Sequence, residues 1–176
     1  MSTHSKLSPS SRHRWSKCPG SVREEAKYPE QPSGPAAIDG THSHTLLEWT
    51  LELFPTLGVI RNAAEALGLT FKDHEGEFVV DADRAERVQL AVDYVRGHLV
   101  ADPLCKIISE RRVNPASLVG RDDMSGTVDI QIISGNGRHV ELIDYKDGMG
   151  VVEAAGNHQL EQYAVCLLYT SDAADE

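Results

Sequence analysis

The stretch GTVDIQIISGNGRHVELIDYK, residues 126–146, constrains the fold more than any other part of the chain. Two runs rich in Ile and Val flank Gly135-Asn136-Gly137-Arg138, and Asn-Gly between such runs is a strong hairpin signal. A two-residue type I′ turn at Asn136-Gly137 pairs Gly135 with Arg138 and sets a register in which paired residue numbers sum to 273. Ile133 then faces Val140, Gln131 faces Leu142, Asp129 faces Asp144 and Thr127 faces Lys146. Val128, Ile130, Ile132 and Ile143 form an apolar face that belongs against helices, so the hairpin predicts the core of an α/β domain.

The other face ends in charge. Asp129 and Asp144 project side by side with Cβ atoms about 5 Å apart, and two carboxylates so placed repel. A shared proton, a cationic side chain or a bound metal ion offsets that repulsion. Lys146 points to the same face, about 6.6 Å farther along the strand. Such a set suits Mg²⁺, which binds one or two carboxylates together with water and phosphate oxygens. Spacing alone leaves a second reading open, in which Asp144 and Lys146 are a solvated strand end and a longer turn carries Asp129 elsewhere.

The flanking sequence supplies helices. Asp39 or Thr41 can cap a helix over residues 39–54, with Leu47, Leu51 and Phe54 on one face, His44 and Glu48 beside it, and Pro55 as its end. Asp81 or Asp83 opens a second helix, in which Val88, Ala91, Val92, Val95 and Leu99 recur at helical spacing as far as Asp102-Pro103. Residues 106–113 read as a further strand, and a last helix starts near Asn157 with Gln159 and Tyr163 on one face. Residues 56–80 give little pattern beyond a short helix about 62–67. At the N-terminus, SPSSRHRWSKC reads as a short basic helix and YPEQPSGPA, residues 28–36, as a loop.

Composition narrows the function classes. A length of 176 residues suits a single domain, and 40% hydrophobic with 25% charged residues is a globular balance. No apolar run approaches the roughly 20 residues of a membrane span, and no secretory leader opens the chain, which predicts a cytoplasmic protein. Three cysteines, none in a Cys-x-x-Cys, make no disulfide framework. The net charge of −10 argues against a generic basic nucleic-acid coat, although a local basic patch is compatible with it.

Gly126-Thr127-Val128-Asp129, Ile143-Asp144-Tyr145-Lys146 and Gln159-x-x-x-Tyr163 resemble, in order, the motifs of the PD-(D/E)XK nuclease superfamily. Gly40-Thr41-x-x-His44 and the segment LSPSSRHRWSKCP, ending in Cys18-Pro19, are similar to upstream motifs of its RecB-like branch, and the nearest resemblance is to an uncharacterised phage-encoded family. The resemblance spans residues 7–165 and implies a restriction-endonuclease-like core, a small mixed β-sheet flanked by helices. It implies that Asp129 and Asp144 bind Mg²⁺ or Mn²⁺ with help from His44 and the Tyr145 carbonyl, and that Lys146 assists the attacking water or the phosphate. Gln159 and Tyr163 would contact the DNA backbone or brace Lys146, and Glu48 would hydrogen-bond His44. By residue type alone, Arg12 and Arg14 suit phosphate contacts or a solvated charge run. The implied function is metal-dependent DNA hydrolysis, as an exonuclease of phage replication or recombination. The alternative is a silent nucleic-acid-binding or assembly module that keeps the fold.

Cys18 occupies the place of a cysteine that, in several RecB-like nucleases, joins three later ones to hold an iron–sulfur cluster. Such a cluster needs four thiolates, so it is expected only in a longer chain. The final CLLYTSDAADE, residues 166–176, resembles the translated read-through of a sequencing adapter, which sets the expected nuclease domain at 1–165 with a non-native tail.

Overall fold

The computed structural model describes residues 5–29, 31–148 and 152–171. A 3-10 turn at Pro9–Ser11 leads into α1 (Arg12–Trp15) and α2 (Gly20–Glu25). Next come α3 (Pro35–Leu51), α4 (Phe54–Leu57), a 3-10 turn at Ala63–Ala66, β1 (Thr70–Lys72), β2 (Glu77–Val79) and α5 (Ala82–Ala101). The chain continues through β3 (Lys106–Val113), α6 (Ala116–Val119), β4 (Gly126–Ile133), β5 (Val140–Ile143) and α7 (His158–Ser171). Residues 172–176 of the adapter-like tail lie outside the described residues.

The class is α/β. In place of one mixed sheet there are two small antiparallel sheets, β1-β2 and β3-β4-β5. A tight loop joins β4 to β5, and a connection that short permits only antiparallel neighbours. Their register is Ile133↔Val140, Ile132↔Glu141, Gln131↔Leu142 and Ile130↔Ile143, so every pair sums to 273.

The turn that sets this register differs from the expected one. Gly137 N–H donates to the Ser134 carbonyl at 2.8 Å and Ser134 N–H to the His139 carbonyl at 2.9 Å, so the loop spans residues 135–138. Gly137 has φ 69°, whereas Asn136 is not among the positive-φ residues that a type I′ turn requires. Side chains stabilise the longer loop. Asp102 Oδ2 accepts the Gly135 N–H at 2.7 Å, and Asn136 Oδ1 accepts the Arg138 N–H at 2.9 Å. A Cβ on Gly135 would lie 2.6 Å from Leu104 Cβ, so the close approach demands glycine. Loops of two and four residues share one centre, and the pairing is therefore the same for both.

The chain falls into two compact units, one drawn from residues 1–32, 111–128 and 152–176, the other from 33–110 and 129–151. In the second unit, Leu46, Leu47 and Leu51 of α3 and Val88, Val92 and Val95 of α5 bury against Ile107, Ile130 and Ile132. The α5 start follows the sequence signal, since Asp81 Oδ1 accepts the Arg84 N–H at 2.8 Å. The α3 start does not. That helix begins at Pro35 instead of residue 39, because proline fits the first helical turn and Gly34 precedes it in extended geometry. Asp39 then lies within the helix, and its carboxylate accepts from Arg84 and Arg87 instead of capping.

In the first unit, α7 packs on α1 and on the Pro9–Ser11 turn, with Tyr163, Cys166 and Pro9 buried. Asn157 Oδ1 caps α7 by accepting the Gln159 and Leu160 N–H groups. Arg12 ties the same elements together, donating to the His158 carbonyl at 2.8 Å. Gly126 is the tightest point. A Cβ there would lie 2.7 Å from Pro9 Cγ and 3.0 Å from Tyr163 Cε1. Gly126→Ala should therefore destabilise the protein by about 1–3 kcal/mol, the usual cost of overpacking, read as a lower denaturant midpoint at unchanged slope.

Candidate functional site

Three elements of the second unit converge on Asp129. The carboxylate is largely buried, with its side chain 12% exposed, and Oδ2 accepts the Tyr145 N–H at 2.7 Å while lying 3.7 Å from His44 Nδ1. Burial raises its pKa, His44 opposes the rise, and the Asp144 charge adds to it against the Tyr145 N–H and Lys146. Asp144 is itself buried, and its Oδ2 sits 2.7 Å from Lys146 Nζ. The lysine side chain is 44% exposed, so its ammonium is anchored at one side and reachable from solvent at the other. His44 meets the Tyr145 ring edge-on, with centroids 5.4 Å apart. Burial pushes the Tyr145 hydroxyl up to about 12, with the Asp147 charge next in effect.

Glu110 in β3 is the residue that the sequence pattern did not single out. Its carboxylate, His44 and Asp129 offer ligand atoms that all lie within 4.8 Å of one another. Its φ is 50°, in the left-handed region, and it is the one non-glycine residue so placed among those described. A glutamate held there costs on the order of 1 kcal/mol or more. The residue is exposed, yet desolvation of its carboxyl by the surrounding atoms, then Asp129 and Glu48, push its pKa up to about 7. A strand rich in Ile and Arg carries no sequence signal for a left-handed glutamate.

The segment after β5 is fixed to the helices by ion pairs. Asp147 Oδ1 accepts from Arg87 Nε at 2.8 Å, and Arg87 also pairs with Asp39 and Asp83. Gly40 lets this backbone approach α3, since a Cβ there would lie 3.2 Å from the Asp147 carbonyl oxygen. His42 turns away from His44, as residues two apart on a helix must. It hydrogen-bonds Asp73 Oδ2 at 2.7 Å and stacks on Phe78.

Among the described residues no hydrogen bond joins Glu48 to His44, and the exposed Glu48 bears on Glu110 instead. Gln159 and Tyr163 belong to the first unit, where Gln159 Nε2 lies 3.1 Å from Tyr163 Oη. Arg12 is engaged by α7, as described, and Arg14 pairs with Glu25 at 2.8 Å. Arg14 also lines an open cleft of about 1700 Å³ together with Lys6, Trp15, Arg23 and Arg121. Cys18 is exposed, whereas Cys105 and Cys166 are buried.

The donor chemistry fits a divalent cation: two carboxylates and one imidazole, with an ammonium paired to a third carboxylate. The fold and site thus define an α/β protein with an acid-lined polar centre at the end of a hairpin. The chain belongs to the DUF2800 family, described as proteins of unknown function, whose model matches residues 4–174. No solved structure matches it. Among the described residues no helix is long and apolar enough to cross a membrane.

Asp147 is 7% exposed, and its Oδ2 has no partner among the described residues, so its charge leans on Arg87. Arg87→Ala should cost about 2–3 kcal/mol, below the full penalty for orphaning a buried charge because Arg87 is partly exposed. Amide exchange at Tyr145 and Lys146 should quicken in the same variant.

Proposed function

We propose that this protein is a metal-dependent nuclease that hydrolyses phosphodiester bonds of DNA. The observation that carries the reading is the meeting of His44, Asp129 and the Asp144–Lys146 pair within one unit. His44 and Asp129 would hold Mg²⁺ or Mn²⁺, and Tyr145 keeps Asp129 oriented through its N–H. At those residues a divalent cation would supply a lowered pKa for a bound water and a polarised phosphoryl oxygen. Lys146, steadied by Asp144 and open to solvent, would orient the attacking water or offset charge on the phosphate. Arg14, with Lys6, Arg23 and Trp15 in the same cleft, would bind the nucleic-acid backbone and stack a base. By the resemblance, the activity would be that of an exonuclease of phage replication or recombination.

The purified chain should degrade DNA with Mg²⁺ or Mn²⁺ and stop when EDTA removes the metal. Asp144→Ala and Lys146→Ala should each lower the rate by about 100-fold or more while the far-UV spectrum stays unchanged. Degradation that survives either substitution refutes the reading. DNA binding without cleavage in the unaltered chain points to the silent binding module.

A further inference from the structure

We infer that Glu110, together with His44 and Asp129, holds the cation, and that Asp144 serves to hold the Lys146 ammonium in place of ligating the metal; the inference rests on the metal-dependent reading above.

Geometry separates the two acids. Ligand atoms of His44, Glu110 and Asp129 lie within 4.8 Å of one another, and Asp144 is not in that set. On a small divalent cation with bonds of about 2.1 Å, opposite donors stand about 4.2 Å apart and adjacent ones about 3 Å, so these three side chains must draw together on binding. Asp144 Oδ2 instead stands 2.7 Å from Lys146 Nζ. Charge points the same way. Asp144 and Lys146 neutralise each other, which leaves the negative charges of Glu110 and Asp129 side by side, and one divalent cation balances two carboxylates. Glu110 lies within β3 at φ 50°, so its carboxylate is presented by a strand and not by a loop.

The imidazole shapes the choice of metal. One nitrogen and two carboxylates suit Mn²⁺ better than Mg²⁺, which prefers oxygen donors throughout. Mn²⁺ should therefore bind the unaltered chain more tightly than Mg²⁺.

The test is a calorimetric titration of the full chain with Mn²⁺, without DNA, on the unaltered protein and on Glu110→Gln, Glu110→Gly and Asp144→Asn. Both Glu110 variants should bind Mn²⁺ at least tenfold more weakly. Asp144→Asn should weaken Mn²⁺ binding less than either Glu110 variant and yet lose DNA cleavage. Glycine accepts φ 50° without strain, so Glu110→Gly guards against mistaking misfolding for ligand loss, and melting curves check each variant. Unchanged Mn²⁺ affinity in Glu110→Gln, or an equal loss in Asp144→Asn, overturns this assignment and leaves the nuclease reading standing. Failure of the unaltered chain to bind Mn²⁺ overturns both.

Discussion

The hydrogen bond from Tyr145 N–H to Asp129 Oδ2, 2.7 Å long, is the interaction on which the rest of the site depends. The backbone ladder between β4 and β5 ends at Ile130↔Ile143, and a carboxylate side chain provides the next rung. One bond therefore does two things. It keeps residues 144–146 beside β4 after β5 has ended, and it holds one oxygen of Asp129 in a fixed direction. A hydrogen bond to a charged acceptor contributes roughly 1.5–3 kcal/mol, enough to offset part of the cost of burying the carboxylate. The remainder shows as a raised proton affinity at Asp129, caused first by burial.

Two helices make that burial possible. Leucines of α3 and valines of α5 cover the apolar side of the sheet, and the polar link between helices and hairpin runs through Arg87, which bridges Asp39 of α3 and Asp147 beyond β5. Gly40 gives the motif Gly-Thr-x-x-His a physical meaning. A side chain at 40 would press on the Asp147 carbonyl, and His44, one helical turn onward, is then delivered to Asp129. The spacing of glycine and histidine thus follows from helix pitch.

What could be read from the sequence was what local chemistry determines. The hairpin register was legible because apolar alternation and an Asn-Gly centre agree, and it survived a change of turn type because both loops share that centre. The α5 helix was legible because Asp81 and a valine stripe mark it, whereas Asp39 looked like a cap because Arg84 and Arg87 lie 45 and 48 residues away. The β1-β2 hairpin was missed, since strands of three residues carry too little alternation to register. Glu110 was missed for a deeper reason. Nothing about a glutamate in a strand announces a left-handed backbone, and its partners come from α3 and β4.

Glu110 is also where stability and chemistry part company. Glycine would relieve the dihedral and glutamine would remove the repulsion with Asp129 and Glu48, so for packing alone glutamate is an inferior choice. A small unit with a marginal free energy of folding has reason to avoid such a residue unless the charge itself is used. The location of the uncompensated charge says how. Lys146 already neutralises Asp144, Arg87 already neutralises Asp147, and the Asp39 charge is shared between two arginines. Glu110 and Asp129 repel each other, a cation supplied from outside would balance both, and an imidazole nitrogen lies beside them.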